Sequence, residues 1–255
     1  MSGVSKVFLR DPSCPLWFTV FVSITQNVAE VQERIATAAR RARRDPKEIT
    51  LMAVSKTFGP ERIREAHQAG LRVFGENRLQ EFAGKAGALA DLKDVEWHMI
   101  GHLQTNKASK TAGLFDAVDS VDSLRLAEKL NSSAAQIQKK LAVLIEINAG
   151  GEAAKSGMSL ESPELEELLR AAARLENLEF RGLMTIPPFS DDPQQARPYF
   201  RKVRELRDQI SARRLQSIGM DVLSMGMSHD FEVAIEEGST CVRVGTAIFG
   251  ERDKF

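Results

Sequence analysis

Eight short apolar segments lie along this chain, and an amphipathic helical segment follows each of them except the last. Strict alternation of this kind predicts parallel strands, because each helix carries the chain back to the same edge of the sheet. Eight such units close into a (β/α)8 barrel of about 250 residues, and an open doubly wound sheet is the competing architecture. The predicted strands lie within residues 49–58, 72–74, 95–100, 115–121, 141–148, 178–186, 220–225 and 241–244.

The chain of 255 residues shows no composition break that would mark a linker. We therefore predict one α/β barrel domain over residues 26–255, beginning with a helix over 28–44. Residues 1–25 are predicted to be an extension that the barrel does not need for folding. Its apolar stretch 14–24 could be the core of a signal peptide, but Pro15 and the lack of a small-residue cleavage motif argue against that. A translation start placed too far upstream is a further alternative.

The charge balance excludes some partners. Lysine plus arginine and aspartate plus glutamate number 35 each, which predicts no nucleic-acid partner and no anionic membrane surface. The two cysteines are too few for a disulfide framework, and no apolar run reaches the length of a membrane span. We therefore expect a cytoplasmic protein.

Lys56 follows the apolar run 51–54 of the first predicted strand. The run has no polar alternation, which is typical of a strand buried on both faces in a parallel sheet. Desolvation at the end of such a strand favours a neutral lysine amine, which is a nucleophile toward aldehydes. The alternative is a lysine side chain that extends from the strand end into solvent.

In barrels of this type, functional residues lie at the C-terminal ends of strands, and phosphate commonly binds after strands seven and eight. Gly226 and Ser228 follow strand seven, and Gly245 and Thr246 follow strand eight, so their N–H and hydroxyl groups could bind an anion. Ordinary helix capping by Ser228 and tight turns at the glycines are the alternative. Arg243 lies between two valines in a strand covered on both sides, so it requires a carboxylate or a ligand as its partner.

Two other constellations are rejected. His98 and His102 have the spacing of a zinc-binding pair, but they lie on a strand-to-loop junction and not on a helix. Residues 228–230 read Ser-His-Asp, yet adjacent residues cannot adopt the geometry of a catalytic triad. Neither pattern therefore predicts a metal site or a hydrolase.

A Schiff-base lysine, a phosphate site and a buried arginine at one barrel mouth together suggest pyridoxal 5′-phosphate (PLP). Several long motifs also resemble, in the same order, those of the YggS/PROSC family of PLP homeostasis proteins. The resemblance runs from about residue 28 to Arg252 and does not cover the first 25 or so residues. The motifs are AVSKT (53–57), FGEN (74–77) with Gln80 and Glu81, EWHMIGHLQTNK (96–107), KSGM (155–158), RGLMTIP (181–187), SMGMSHDFEVAIEEGST (224–240) and VRVGTAIFG (242–250).

The resemblance implies a single barrel like the N-terminal domain of alanine racemase, and a function in intracellular PLP homeostasis without substantial catalysis. It implies that Lys56 carries PLP as an internal aldimine and that Ser228, Gly245 and Thr246 hold the phosphate. It also implies that Arg243 faces the pyridine nitrogen and opposes its protonation. The full set of implied cofactor-binding residues is Lys56, Asn77, Met184, Ser224, Met227, Ser228, Arg243, Gly245 and Thr246.

The implied partners are PLP and, as recipients of it, apo forms of PLP-dependent enzymes; we expect a monomer. A PLP-dependent amino-acid racemase or decarboxylase and a cofactor-free Schiff-base aldolase are the alternatives, and the phosphate-type loops favour PLP over the aldolase. Racemisation needs a base on each face of the substrate. We expect no second, tyrosine-supplying domain after strand eight. The single tyrosine, Tyr199, falls in the helix before strand seven, and His98 is the one histidine considered as a substitute.

Overall fold

The structure, a computed structural model, describes residues 23–152 and 155–251. Its strands pair in parallel and in chain order to form a closed barrel, in which β8 pairs with β1. This topology confirms the predicted (β/α)8 fold. The strands are β1 (Thr50–Val54), β2 (Val73–Glu76), β3 (Glu96–Met99), β4 (Ala117–Val121), β5 (Leu141–Ile147), β6 (Leu178–Thr185), β7 (Ile218–Met227) and β8 (Cys241–Val244).

One α-helix precedes β1, and a helix follows every strand in the described part of the chain. Within these same residues, none of the helices combines the length and the apolar character needed to cross a membrane. The helices are α1 (Ile24–Arg41), α2 (Pro60–Gln68), α3 (Leu79–Lys85), α4 (Ala108–Leu114), α5 (Leu124–Gln136), α6 (Pro163–Ala171), α7 (Arg197–Ala212), α8 (Phe231–Glu236) and α9 (Thr246–Phe249).

Several boundaries differ from the sequence-based prediction. β7 continues to Met227 instead of ending at residue 225, because its pairing with β8 shifts register between Ser224 and Met227. A short helix, α9, follows β8, where no further element was predicted. The α-helices α3 and α6 end at Lys85 and Ala171, and each continues as a 3-10 turn, over Ala86–Leu89 and Ala172–Arg174.

α1 packs against α8 and α9 on the outside of the barrel. The Ser23 hydroxyl oxygen accepts the Gln26 N–H, and the Gln26 side chain accepts the Ser23 N–H, which together form a capping box. Because Ile24 is already buried, the boundary predicted between residues 25 and 26 falls inside the first turn of α1. The rest of the predicted extension, residues 1–22, lies outside the described residues.

An aromatic cluster fixes α3 against the barrel. The rings of Phe74 on β2 and Trp97 on β3 have centroids 5.3 Å apart. Phe82 on α3 lies 4.7 Å from both Trp97 and Phe115. Ring contacts of this kind stabilise beyond the burial of apolar area alone. The position of α3 relative to the ends of β1 and β2 is therefore set by packing in the core.

An ion pair lies inside the barrel near the end where the strands begin. His98 Nδ1 is 2.9 Å from Asp119 Oδ1, and the Asp119 side chain is 1% exposed. The pair borders a cavity whose wall includes Asp116 and Lys140, which immediately precede β4 and β5. His98 therefore faces the opposite end of the barrel from the C-terminal strand ends, and its predicted place near the barrel mouth was wrong.

The His98–Asp119 pair makes stability depend on pH. Burial by itself lowers the pKa of His98, but the charge and hydrogen bond of Asp119, together with Glu96, outweigh burial and raise this pKa to about 10. The pKa of histidine in an unfolded chain is about 6.5. The pair therefore contributes fully below about pH 6.5, and its contribution is lost as the pH rises through about 10.

We predict that His98→Gln lowers the free energy of unfolding by on the order of 3 kcal/mol near neutral pH or below, because it leaves the buried Asp119 carboxylate without its charged partner. The loss should shrink as the pH approaches about 10, where wild-type His98 gives up its charge. Urea denaturation of both proteins over this pH range measures the difference. A loss of stability that stays constant across the range would contradict the prediction.

Candidate functional site

A cavity of about 470 Å³ opens at the end of the barrel where the strands finish. Its wall is built from the loops that follow six of the strands, β1 to β3 and β6 to β8, together with the loop that carries Lys155. Most of the residues predicted to bind a cofactor line it. These are Lys56, Asn77, Met227, Ser228, Arg243, Gly245 and Thr246.

Lys56 lies in the turn between β1 and α2 and is half-buried in the cavity wall. The next residue, Thr57, has a φ of 71°, a left-handed conformation that is strained for a β-branched residue. The Thr57 N–H donates to Glu81 Oε1 at 2.5 Å, and Glu81 belongs to the first turn of α3. The backbone conformation at Lys56 therefore depends on the left-handed Thr57 and on the contact with Glu81 of α3, in addition to β1.

Asn77 faces the cavity from the loop after β2. Gly101, after β3, packs so closely against it that an added side-chain carbon would overlap the Asn77 carbonyl oxygen and would lie 2.5 Å from the Asn77 side-chain oxygen. The Ser120 hydroxyl donates to the Gly101 carbonyl at 2.7 Å and holds this loop in place. The glycine of the EWHMIGHLQTNK motif thus positions Asn77 by allowing a close approach.

Arg243 reaches the cavity from β8 and is 3% exposed. Its Nη1 donates to Ser224 Oγ at 2.7 Å, and its Nη2 donates to the Thr185 carbonyl at 2.8 Å. Burial lowers the pKa of Arg243, while nearby acidic groups, among them Asp119 and Asp230, act in the opposite direction. Because both hydrogen-bond partners are neutral, the guanidinium brings positive charge to the floor of the cavity.

Ser228 lies opposite the start of α9. Its hydroxyl oxygen is 3.3 Å from the Gly245 nitrogen and 3.5 Å from the Ala247 nitrogen, both at the long end for hydrogen bonds. α8 begins at Phe231 with Asp230 as its N-cap, so the alternative in which Ser228 caps that helix is wrong. One hydroxyl group and two backbone N–H groups therefore meet at this corner of the cavity.

Three of the residues expected to bind the cofactor or an anion lie outside the cavity wall. Gly226 has a φ of 94°, and a side-chain carbon there would lie 2.6 Å from Ala234 Cβ, so Gly226 lets α8 pack on β7 and does not present an anion site. Met184 and Ser224 are fully buried and pair in register on β6 and β7. Ser224 touches the site through its hydrogen bond to Arg243.

Parts of the wall were not anticipated from the sequence. The loop after β6 contributes Phe189, which is 81% exposed. His229 also lines the cavity, with Nε2 2.9 Å from the Asp191 carbonyl oxygen. Lys155 lines it too and donates to the Pro187 carbonyl at 3.3 Å. No pattern in the sequence indicated that His229 or Lys155 would line the cavity.

Two buried carboxyl groups, those of Glu146 and Asp230, lie close enough to Arg243 to act on its charge. Burial, with the charge of Asp122, raises the pKa of Glu146 to about 7, although Arg243 lowers it in part. Burial likewise raises the pKa of Asp230, whose Oδ1 accepts the Met227 N–H at 2.6 Å. Glu146 is therefore only partly ionised at neutral pH. Within the described residues, no group of three or more His, Cys, Asp or Glu side chains is arranged to hold a metal ion.

The chemistry of the cavity is that of a site for an anionic aldehyde. It offers a lysine amine, a buried guanidinium, and a corner of hydroxyl and backbone N–H donors. Val54, Ile100 and Ile186 add apolar surface between these groups. A flat molecule with an aldehyde and an anionic group fits this arrangement better than a metal ion or a nucleic acid does.

Comparison with known proteins gives several matches. Residues 26–253 match the family described as alanine racemase, N-terminal domain. A pyridoxal phosphate homeostasis protein of Aquifex aeolicus is 48% identical over 227 residues, which cover 89% of this chain and 97% of the relative. PipY of Synechococcus elongatus, solved with PLP bound, is 35% identical with a TM-score of 0.74, covering 86% of this chain and 100% of that one.

A protein of unknown function from Bifidobacterium adolescentis has a crystal structure that is 39% identical, with a TM-score of 0.79, and covers 89% of this chain and 94% of that one. Each of these three similarities covers most of this chain and nearly all of the protein it is compared with. The chain therefore belongs to the alanine racemase N-terminal domain family and, within it, to the YggS/PROSC family of pyridoxal phosphate homeostasis proteins.

Proposed function

We propose that this protein binds PLP as a Schiff base on Lys56 and serves in intracellular PLP homeostasis without substantial catalysis of its own. The observation that carries the proposal is the meeting of Lys56 and Arg243 in one cavity with the donor groups of Ser228 and Gly245. Two of the matched relatives support the choice of ligand, because one is named for pyridoxal phosphate homeostasis and another was solved with PLP bound.

Lys56 is the proposed point of attachment. When bound, PLP supplies an aldehyde that condenses with a lysine amine to an imine with loss of one water. The turn after β1 brings the Lys56 side chain to the cavity wall. Val54 and Ile100 line the same cavity and add apolar surface to its wall.

The phosphate is proposed to bind at Ser228, Gly245 and Thr246. The Ser228 hydroxyl oxygen is the acceptor for the Gly245 and Ala247 N–H groups, at distances that leave both bonds weak. A charged phosphate oxygen is a stronger acceptor for these N–H groups than a hydroxyl is. The Ser228 hydroxyl could then donate to the phosphate as well, so exchanging partners would strengthen every bond at this corner.

Arg243 is proposed to face the pyridine nitrogen. A guanidinium has only N–H donors and stays protonated, so it hydrogen-bonds an unprotonated ring nitrogen and opposes its protonation. PLP with a neutral ring nitrogen is a weaker electron sink than PLP with a protonated one. Arg243 therefore favours holding the cofactor over using it for carbanion chemistry, although this contact alone does not forbid racemisation.

A PLP-dependent amino-acid racemase or decarboxylase is the second candidate, and the position of His229 is the observation that favours it. Racemisation needs a base on each face of the substrate carbon, and His229 lies in the cavity wall with Lys56. His98 is excluded as that base because it faces the other end of the barrel. Tyr199 lies on α7 and packs against the core.

We further propose that the protein is a cytoplasmic monomer that passes PLP to apo forms of PLP-dependent enzymes. Among the described residues, the large apolar side chains that are exposed are Ile137, Ile186 and Phe189. A stable dimer buries about 800 Å² of surface on each partner, and these three side chains do not supply that area. Two of the three lie at the cavity mouth, where a recipient enzyme would have to approach.

We predict that borohydride reduction of the PLP-loaded protein places the pyridoxyl group on Lys56. Mass spectrometry of the digested protein identifies the modified lysine, and Lys56→Ala should lose the covalent label. Lys155→Ala is the matched control, because Lys155 lines the same cavity and should not be needed for labelling. A pyridoxyl group found on Lys155 or Lys107 in place of Lys56 would refute the assignment.

We predict that Ser228→Ala and Thr246→Ala each weaken binding of PLP more than binding of pyridoxal, which lacks the phosphate. A hydrogen bond to a charged group contributes roughly 1.5–3 kcal/mol, or at least about tenfold in Kd. Calorimetric titration with both compounds measures the two affinities. Ser132→Ala, on the exposed side of α5, is the control and should change neither. Equal weakening for both compounds would show that the phosphate binds elsewhere.

We predict no appreciable amino-acid racemisation by the PLP-loaded protein. Racemisation needs a base on each face of the substrate carbon, and no second base besides Lys56 is established in the cavity wall. The measurement is deuterium exchange at Cα of L- and D-alanine in D₂O, followed by chiral analysis. Turnover at about 1 per second or faster, abolished by Lys56→Ala and by His229→Gln, would favour the racemase with His229 as the second base.

A further inference from the structure

A second lysine lies buried directly beneath the turn that carries Lys56. Lys85, the last residue of α3, is 7% exposed. Its Nζ donates to the Ser55 carbonyl and to the Phe58 carbonyl, each at 3.1 Å. These carbonyls lie on either side of Lys56 in the sequence, so one ammonium group ties together both ends of the turn 55–58.

Two carboxylates balance the charge of Lys85. Glu76, at the end of β2, is fully buried and places Oε1 2.8 Å from Lys85 Nζ, while the Ser55 hydroxyl donates to the same oxygen at 2.5 Å. Glu81 Oε1 lies 3.3 Å from the same nitrogen. Buried ion pairs of this kind add little stability over well-packed apolar side chains. Their presence here therefore indicates a role in fixing local geometry.

The geometry that they fix is strained. Thr57 adopts its left-handed φ of 71° at a cost of about 1–2 kcal/mol, and such conformations persist only where the surroundings hold them. Glu81 accepts the Thr57 N–H, and Lys85 holds the carbonyls of Ser55 and Phe58. Within the turn itself, the Phe58 N–H donates to the Ser55 carbonyl at 3.2 Å. The restraints from Glu81 and Lys85 both come from α3, which the aromatic cluster fixes to the barrel.

We infer that Lys85, Glu81 and Glu76, which we call the α3 clamp, position Lys56 for its attachment to PLP. The inference rests on the proposed function of Lys56. None of the three side chains belongs to the cavity wall, so they act through the backbone of the turn and are positioning residues. Without the clamp, Thr57 relaxes toward negative φ, and the side chain of its neighbour Lys56 turns away from Arg243 and Ser228.

The chain offers a matched control for Lys85. Lys139 also joins two backbone carbonyls, donating to that of Phe115 at 2.5 Å and to that of Ala112 at 3.3 Å. It borders the cavity at the other end of the barrel and has no contact with the turn 55–58. Lys85→Met and Lys139→Met therefore remove the same kind of bond, one near Lys56 and one far from it.

The experiment loads wild type and both variants with PLP and measures two quantities. The first is the dissociation rate of PLP into an excess of an apo enzyme, and the second is the pH midpoint of the absorption band of lysine-bound PLP. We expect Lys85→Met to accelerate dissociation by about tenfold or more, since two hydrogen bonds to the turn are lost, and to shift the midpoint. Lys139→Met should leave both unchanged.

A rescue separates positioning from general loss of structure. Glycine adopts positive φ without steric cost, so Thr57→Gly in the Lys85→Met background should recover part of the lost retention of PLP. If Lys85→Met does not fold, Glu81→Ala replaces it: it removes the acceptor of the Thr57 N–H from a partly exposed site. Glu81→Ala should accelerate dissociation several-fold.

The outcomes distinguish the proposed function from the role of the clamp. Wild-type protein that binds PLP elsewhere than on Lys56 would overturn the proposed function. Wild-type protein labelled on Lys56, with Lys85→Met matching Lys139→Met in dissociation rate and pH midpoint, would overturn the clamp alone. Release of PLP from Glu81→Ala at the wild-type rate would overturn the clamp in the same way.

Discussion

The pairing of β8 with β1 is the constraint on which the rest of the structure depends. Met52 is in register with Arg243, and Ala53 with Val244, so the first and last strands lie side by side. Parallel strands place their C-terminal ends at one edge, and closing the barrel makes that edge a ring. The turn with Lys56 therefore lies beside the loop with Gly245, although the two are far apart in sequence.

Three cationic side chains with little exposure to solvent are held in three different ways. Arg243 donates to neutral oxygens and keeps its charge available to the cavity. Lys85 is surrounded by carboxylates and carbonyls, which tie it into the frame. His98 is held charged by Asp119 at the far end of the barrel. The partners of each group, and not its residue type, decide whether it faces a ligand or supports the fold.

Sequence reasoning found the residues whose role follows from strand position. Lys56 and Arg243 could be predicted to lie at the cavity because the sequence shows one at the end of an apolar strand and the other between two valines. The direction of His98 and Gly226 could not be predicted in this way. Register shifts at bulges, such as those in the pairing of β7, change which face of the sheet a residue such as Gly226 takes without leaving a mark in composition. The end of the barrel that His98 faces depends on its contact with Asp119 from the neighbouring strand.

The parts of the site that were missed depend on contacts between distant segments. Glu81 was noted as part of a family motif without a role and Lys85 was not considered, and the packing of α3 shows that both contact a strained turn. His229 follows a strand that is longer than its apolar pattern suggested. Loop side chains such as Lys155 and Phe189 converge only after the barrel has closed.

The environment of Arg243 has a consequence for the lifetime of the protein. A guanidinium buried against neutral acceptors leaves the fold less stable than it would be with an additional acceptor from a ligand. A ligand that binds only the folded chain raises the free energy of unfolding by RT ln(1 + [L]/Kd). Because proteases degrade the unfolded fraction, the abundance of the protein would follow the supply of the molecule that it holds.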